Sequence, residues 1–433
     1  MKKNKSSIMD KITDFTMKLA APMGRFAELP CVAAIQNGLV AVMPLILIGS
    51  IFLIIGIMGT DAIGGRVLLP FLAPYASKIT FVNDLTMNFL AFYCSITISM
   101  EYAQRLEADV KASALLGIST FLLFTIGEIQ EGMISINSFS ATGLFASIVS
   151  SLVAIKLYKF LVDRKITIKL PSSVPPSIGL AFTSLIPFAI ILLLAWLIRS
   201  VIGFDLVEFF TNVLKPFVTA ADNIWMWTAN RGIAALFWGV GLHGDNMFNT
   251  PIFQPFQLMW TEENAAALAS GISTMDLPHI WTYSGIDRLL VWPALVWPLV
   301  YLMIRSKVKY LKTLGWACLP AAIFGIVEPV VFGLPIALNP FLIIPFLLVA
   351  VVTAVLGYAF FALGFCAKFF AALPWATPPF ILGPLGTGDL RSLIILVVVI
   401  LVGYLIYFPF WKQFERHMKE QEEANAAIEE QAE

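Results

Sequence analysis

Residues 329–367 contain no Asp, Glu, Lys or Arg, and that run limits the chain more than any other feature. A helix crosses a hydrocarbon core of about 30 Å in about 20 residues. The run is therefore too long for one pass and must turn within the apolar layer. Uncharged runs recur at 29–60, 132–155, 170–198, 289–304, 369–388 and 392–411. Charged residues make up 13% of the chain, about half the share in a soluble domain, and mean hydropathy is +0.84. The fold class expected is an all-α polytopic membrane protein with about ten transmembrane helices.

Formal net charge is +0, and no basic stripe with interleaved aromatics suggests nucleic acid. Cys31, Cys94, Cys318 and Cys366 lie scattered in apolar segments without CxxC spacing, which suits small core residues. The sequence shows no P-loop, HExxH, EF-hand loop or heptad repeat, and no cofactor or metal is expected. Lys and Arg gather on the cytoplasmic side of short loops. Lys2, Lys3, Lys5, Lys11, Lys18 and Arg25 place the N-terminus inside, and Lys412, Arg416 and Lys419 place the C-terminus inside. Spans are expected near 31–57, 85–100, 112–127, 139–162 and 178–202, with 61–80 peripheral.

The chain changes character after 204. Residues 205–222 form an amphipathic linker, and 223–415 are irregular. Residues 223–260 mix Trp225, Asn230, Arg231, His243, Asp245, Asn246 and Pro251 with apolar turns; 315–345 carry Gly325, Pro329, Gly333, Pro335, Asn339 and Pro340. Such residues break helices, and freed backbone groups survive at membrane depth only against protein or a watery cavity. Paired broken segments of this kind point to a transporter's binding site. Two re-entrant hairpins are expected, one presenting His243 and the other Glu328, with 416–433 a charged cytoplasmic tail.

Glu328 is the sole charged residue between Lys312 and Lys368. An acid in such surroundings is costly unless it works or is paired. It is either a structural partner of an arginine such as Arg288 or an acceptor for substrate hydroxyls, able to take a proton from one. His243, in Gly241-Leu242-His243-Gly244-Asp245-Asn246, suits a ligand-facing turn with Asn246 beside it. Trp375, in Pro374-Trp375-Ala376-Thr377-Pro378-Pro379, is either an interfacial anchor or an indole platform for the apolar face of a sugar ring.

These stretches, with Ile35-Gln36-Asn37-Gly38-Leu39, Gly325-Ile326-Val327-Glu328-Pro329 and Phe332-Gly333-Leu334-Pro335, resemble the IIC permeases of the bacterial phosphoenolpyruvate-dependent phosphotransferase system. The likeness is to the lactose/cellobiose/diacetylchitobiose family. Val327 and Asp245 depart from the family's pattern, and Asp245 stands where it could alter His243 protonation. The resemblance implies a multi-pass protein of the bacterial cell (inner) membrane, a homodimer whose residues 1–204 form the scaffold. Residues 223–415 would carry a β-linked disaccharide, cellobiose being the modal substrate, in an elevator-type movement. His243 and Glu328 would lie near the sugar's C6 hydroxyl, and Trp375 would stack on a ring, with Asn246 and Arg288 as further contacts. A separate IIB protein bearing phosphocysteine, fed through IIA, HPr and enzyme I, would phosphorylate that hydroxyl. The chain would be the membrane subunit of a phosphotransferase, with membrane lipid around it, and no independent enzyme. Two other classes compete: a proton-coupled sugar transporter using Glu328, and a membrane transferase acting on lipid-linked sugars.

Overall fold

The protein is described by a computed structural model covering residues 25–26, 28–61, 67–126, 133–168, 176–334, 336, 339 and 341–432. The basic residues Lys2 to Lys18, and Glu128, Glu131, Lys169, Pro335 and Pro340, lie outside the described residues. Among the described residues every regular element is helical.

The first part of the chain packs through small residues. Helix α1 (Pro30–Ile57) is followed by a 3-10 turn (Pro70–Tyr75), α2 (Ala76–Thr86), α3 (Leu90–Arg105), α4 (Val110–Thr125), α5 (Leu144–Asp163) and α6 (Pro176–Trp196). Without a hydrophobic driving force between helices in lipid, close backbone approach and polar side chains hold such bundles together. Here Ser147 and Ser151 donate to the carbonyls of Ala91 and Ser95 at 2.8 and 3.2 Å. The stretch expected to be peripheral at 61–80 leads instead into α2, which lies against α1 where Gly49 and Gly56 admit Thr86 and Thr80.

A π-helical turn at Leu197–Val201 ends α6, and Arg199 pairs with Asp205 at 2.8 Å across the bend. Asp205 then caps α7 (Leu206–Ala221) by accepting from the Glu208 N–H, supplying an orphan donor at the helix start with a partner. Asn223 caps α8 (Ile224–Gly239) in the same way, through Trp225 and Met226. The chain continues as α9 (Thr250–Ala269), α10 (Trp292–Ile304), α11 (Lys309–Ile323), α12 (Glu328–Gly333), α13 (Ile343–Ala362), α14 (Pro379–Thr387) and α15 (Arg391–Ala432).

Among the described residues six helices are long and apolar enough to cross a membrane: Pro30–Ile57, Leu144–Asp163, Phe182–Val201, Asp287–Ile304, Ile343–Ala362 and Arg391–Ala424. Beside these six, α3 and α4 lie at the spans expected near 85–100 and 112–127 and have 16 residues each, about 24 Å of helix. The segments 224–239 and 250–269 are too polar to qualify. The first of them packs along α13, where the Trp227 indole donates to the Ala354 carbonyl at 2.9 Å.

Buried polar side chains stitch the irregular loops of this later part. Asn264 donates to the carbonyls of His279 and Phe369 at 2.8 and 2.7 Å and accepts from the His279 N–H at 2.9 Å. Asp222, at the end of α7, accepts from the N–H groups of Ile280 and Trp281. Ser50 of α1 accepts from the Ala372 N–H at 3.2 Å, so α1 touches the same body.

Candidate functional site

A cavity of about 470 Å³ opens between α1 and the irregular later part, within the range of about 300–1,000 Å³ that suits small ligands. His243, Asn246, Arg288, Glu328 and Trp375 all line it. Four separate loops or turns bring these five residues together, and each has a local reason for its shape.

His243 sits in the turn after α8. Gly241 takes φ +83°, a conformation L side chains rarely adopt. Gly244 lies so close to α8 that a Cβ there would fall 2.0 Å from the Ala234 carbonyl oxygen. A π-helical turn, Asp245–Asn249, follows at once and feeds α9. The imidazole packs against the Trp238 ring, centroids 4.4 Å apart. Its Nδ1 accepts from the Asn246 N–H at 3.2 Å. With that lone pair engaged, the ring proton belongs on Nε2. Nε2 lies 3.5 Å from Glu328 Oε1.

Glu328 opens α12 after Gly325, at φ +67°, has turned the chain back from α11. Its side chain is 38% exposed and that of His243 36%, so both reach the cavity. Glu328 thus faces the histidine, and among the described residues no ion pair joins it to Arg288. The 3.5 Å spacing is wide for a hydrogen bond. A hydroxyl placed there can donate to Glu328 and accept from His243.

Arg288 belongs to a second π-helical turn, Asp287–Val291. Its guanidinium lies 5.7 Å from the Trp292 ring centroid and 5.6 Å from that of Trp375, within cation–π reach. One face of Trp375 is thereby taken, yet the residue is 46% exposed, leaving the other face for a ligand. Asp245 Oδ1 accepts from Arg231 at 3.1 Å.

Several lining residues escaped the sequence reading. Gln254, Gln257, Asn249, Tyr283 and Ser284 add polar groups, and Val40, Met43, Pro44 and Leu47 supply an apolar wall. Gln254, Gln257 and Asn249 lay within or beside a segment already marked as too polar for lipid. Ser284 is legible only from its backbone, at φ +52°, and nothing in the uncharged run 29–60 marks the wall of α1. Among the described residues no group of three or more His, Cys, Asp or Glu could hold a metal ion.

The comparisons with known proteins agree with one another. The chain resembles the cellobiose-specific EIIC component of Geobacillus stearothermophilus, 28% identical over 74% of this chain and 75% of that one. The lichenan permease IIC component of Bacillus subtilis (strain 168) is 27% identical over 78% of each. A lactose-specific EIICB component of Staphylococcus aureus (strain COL) is 30% identical over 90% of this chain and 70% of that one. The crystal structure of the transporter ChbC, the IIC component from the N,N'-diacetylchitobiose-specific phosphotransferase system, superposes with a TM-score of 0.86. It is 28% identical, and the match covers 94% of this chain and 99% of that one. The family profile "Phosphotransferase system, EIIC" matches residues 36–350, most of the chain, and the protein belongs to that family.

Proposed function

We propose that the protein is the membrane permease of a sugar phosphotransferase system for a β-linked disaccharide of the cellobiose, diacetylchitobiose or lactose type. The observation that carries this reading is the facing pair His243 and Glu328 on one side of a disaccharide-sized cavity, with an exposed indole face at Trp375. A sugar ring stacks its C–H face on Trp375 while its C6 hydroxyl sits between His243 Nε2–H and the Glu328 carboxylate. A separate IIB protein then delivers phosphate. The C6 oxygen bonds to phosphorus, the phosphorus–sulfur bond of the phosphocysteine breaks, and the hydroxyl proton passes to Glu328. The relatives named for cellobiose, lichenan, lactose and diacetylchitobiose support the substrate class. The name EIICB of the Staphylococcus relative joins the two components.

On this reading residues 1–204 form the scaffold of a homodimer and 223–415 move with the sugar as an elevator. The helix within 205–222 is the hinge arm, the segments around His243 and Glu328 are re-entrant hairpins, and both termini face the cytoplasm. Proton coupling is the weaker reading: the family profile and the relatives are those of a phosphotransferase system, and Asp245 and Asp287 at the cavity both pair with Arg231.

The test is formation of sugar phosphate in membranes supplied with phosphorylated IIB and a panel of disaccharides. Glu328→Gln keeps the shape and removes the proton acceptor, and we expect product formation to fall about 10²-fold. Undiminished product from that variant removes Glu328 from the chemistry.

A further inference from the structure

Beneath the cavity, Arg231 of α8 is fully buried, its side chain 0% exposed. It does not line the cavity. Its guanidinium lies 5.3 and 5.7 Å from the ring centroids of Trp227 and Trp292. Nε donates to Asn230 Oδ1 at 2.8 Å, and Nη2 donates to the same oxygen. Nη1 faces two carboxylates at once, Asp245 Oδ1 at 3.1 Å and Asp287 Oδ2 at 3.7 Å.

Those two aspartates occupy equivalent places. Each is the first residue of a π-helical turn, Asp245–Asn249 and Asp287–Val291. One turn follows His243 and contains Asn246; the other contains Arg288, which rests on Trp375. A π turn is rare and departs from the regular helical ladder, so each turn needs an outside tether to hold its register. A single buried cation reaches both. Asp287 Oδ1 has no hydrogen-bond partner and Oδ2 meets Arg231 as an ion pair at 3.7 Å, so removing Arg231 would take the nearest counter-charge from a buried carboxylate.

We infer that Arg231 is a positioning residue that fixes the His243 turn and the Arg288 turn relative to each other, so that the sugar site is carried as one rigid unit. The role rests on the proposed sugar site, but the linkage of the two turns does not. Lysine offers a point charge where arginine offers a planar fork, so it cannot hold Asn230 and both carboxylates while filling the slot between two indoles.

The test uses the full chain in lipid nanodiscs, with Arg231→Lys, Arg231→Met and the neutral triple variant R231M/D245N/D287N. Hydrogen exchange of 243–250 and 286–292, read without sugar, is expected to rise in both turns together in R231K and in the triple variant. The triple variant buries no orphan charge, so its melting midpoint is expected close to the parent's. With cellobiose and diacetylchitobiose as probes, its KM is nonetheless expected to rise about tenfold and its kcat to fall as well, because the loosened turns carry His243 beside the reacting hydroxyl and Arg288 against Trp375. Parent-like exchange and KM in the triple variant would make Arg231 a mere counter-charge and overturn the proposal. Loosening of only one turn in R231K would do the same. Should R231M fail to fold, the other two variants carry the result. Should Glu328→Gln and Trp375→Ala both leave transport intact, the sugar-site reading fails, and the exchange data still decide the linkage.

Discussion

Gly244→Ala is the sharpest probe of how the His243 turn is built. The added Cβ would sit 2.0 Å from the Ala234 carbonyl oxygen, 2.7 Å from its carbon and 2.8 Å from the Trp238 ring. Ordinary contact begins at 3.4 Å, so the turn must retreat by about 1.4 Å from the backbone of α8. Neither the carbonyl nor the helix can swing aside as a side chain would. Overpacking of this kind costs about 1–3 kcal/mol, which a protein of this size tolerates. The displacement matters more. His243 is the residue before Gly244, and its Nε2 already stands 3.5 Å from Glu328. A shift of about 1 Å at a reacting group costs about 10²-fold in rate. The expected result is near-normal yield and melting behaviour, with sugar phosphate formation down about 10²-fold. Gly232→Ala, one helix face away, is the control: its Cβ meets only a Val351 methyl at 3.3 Å and should leave activity within about twofold, since alanine favours the helix. Activity of the Gly244 variant within about threefold of the parent would refute the claim that this glycine sets the histidine's position.

Two further outcomes follow from the same geometry. Trp375→Ala should raise KM about tenfold or more with little change in kcat, and Trp375→Phe should recover part of it, because the exposed indole face binds without reacting; isotope-uptake kinetics check this, and an unchanged KM would assign Trp375 to the membrane interface instead. His279, in the loop after α9, is held above the ordinary imidazole range: burial pulls it down, but Asp222 at 3.3 Å and Glu263 at 2.5 Å outweigh that. A raised value means the loop's tether to Asp222 is at full strength below about pH 6.5 and is lost as pH climbs through the folded-state value. Hydrogen exchange at 279–282, corrected for intrinsic rate, should therefore rise on alkalinisation, and His279→Asn should flatten the dependence.

Much of this site was legible in the sequence because lipid is an intolerant solvent. A lone acid at Glu328, a histidine between glycines and a tryptophan among prolines are each conspicuous against uncharged runs, and all three meet at one cavity. The limits of α1 and α7 followed from where charge, proline and capping residues fall. What escaped was pairing across space. Arg231 reads in sequence as one more polar residue in an odd segment, and nothing local assigns it to Asp287. Asp245 is a second case: in sequence it stands beside His243, and in the fold its carboxylate pairs with Arg231 of α8. The apolar wall from α1 left no trace, since Val40, Met43 and Leu47 look like any lipid-facing residues, and Pro44 gives only a kink signal.

The polar residues of the later half divide into two groups, and the division explains why the cavity has the composition it does. Backbone freed by broken helices must be satisfied within the protein at membrane depth. Asn264 does this for the loops at 279 and 369, Asp222 for 280 and 281, and Asp389 for the Ala367 N–H at 3.0 Å. Those side chains are spoken for by main chain and cannot also bind a guest. Arg231 plays the corresponding part for the two acids at the cavity floor, pairing with Asp245 and Asp287 from beneath. The lining is then made of amide and hydroxyl groups from Asn246, Gln254 and Ser284, the cation of Arg288, the carboxylate of Glu328 and the two Arg231-paired aspartates. A floor of that kind matches an uncharged polyol far better than an anion or a peptide. The substrate class thus follows from which polar groups the fold has already consumed, as much as from which it displays.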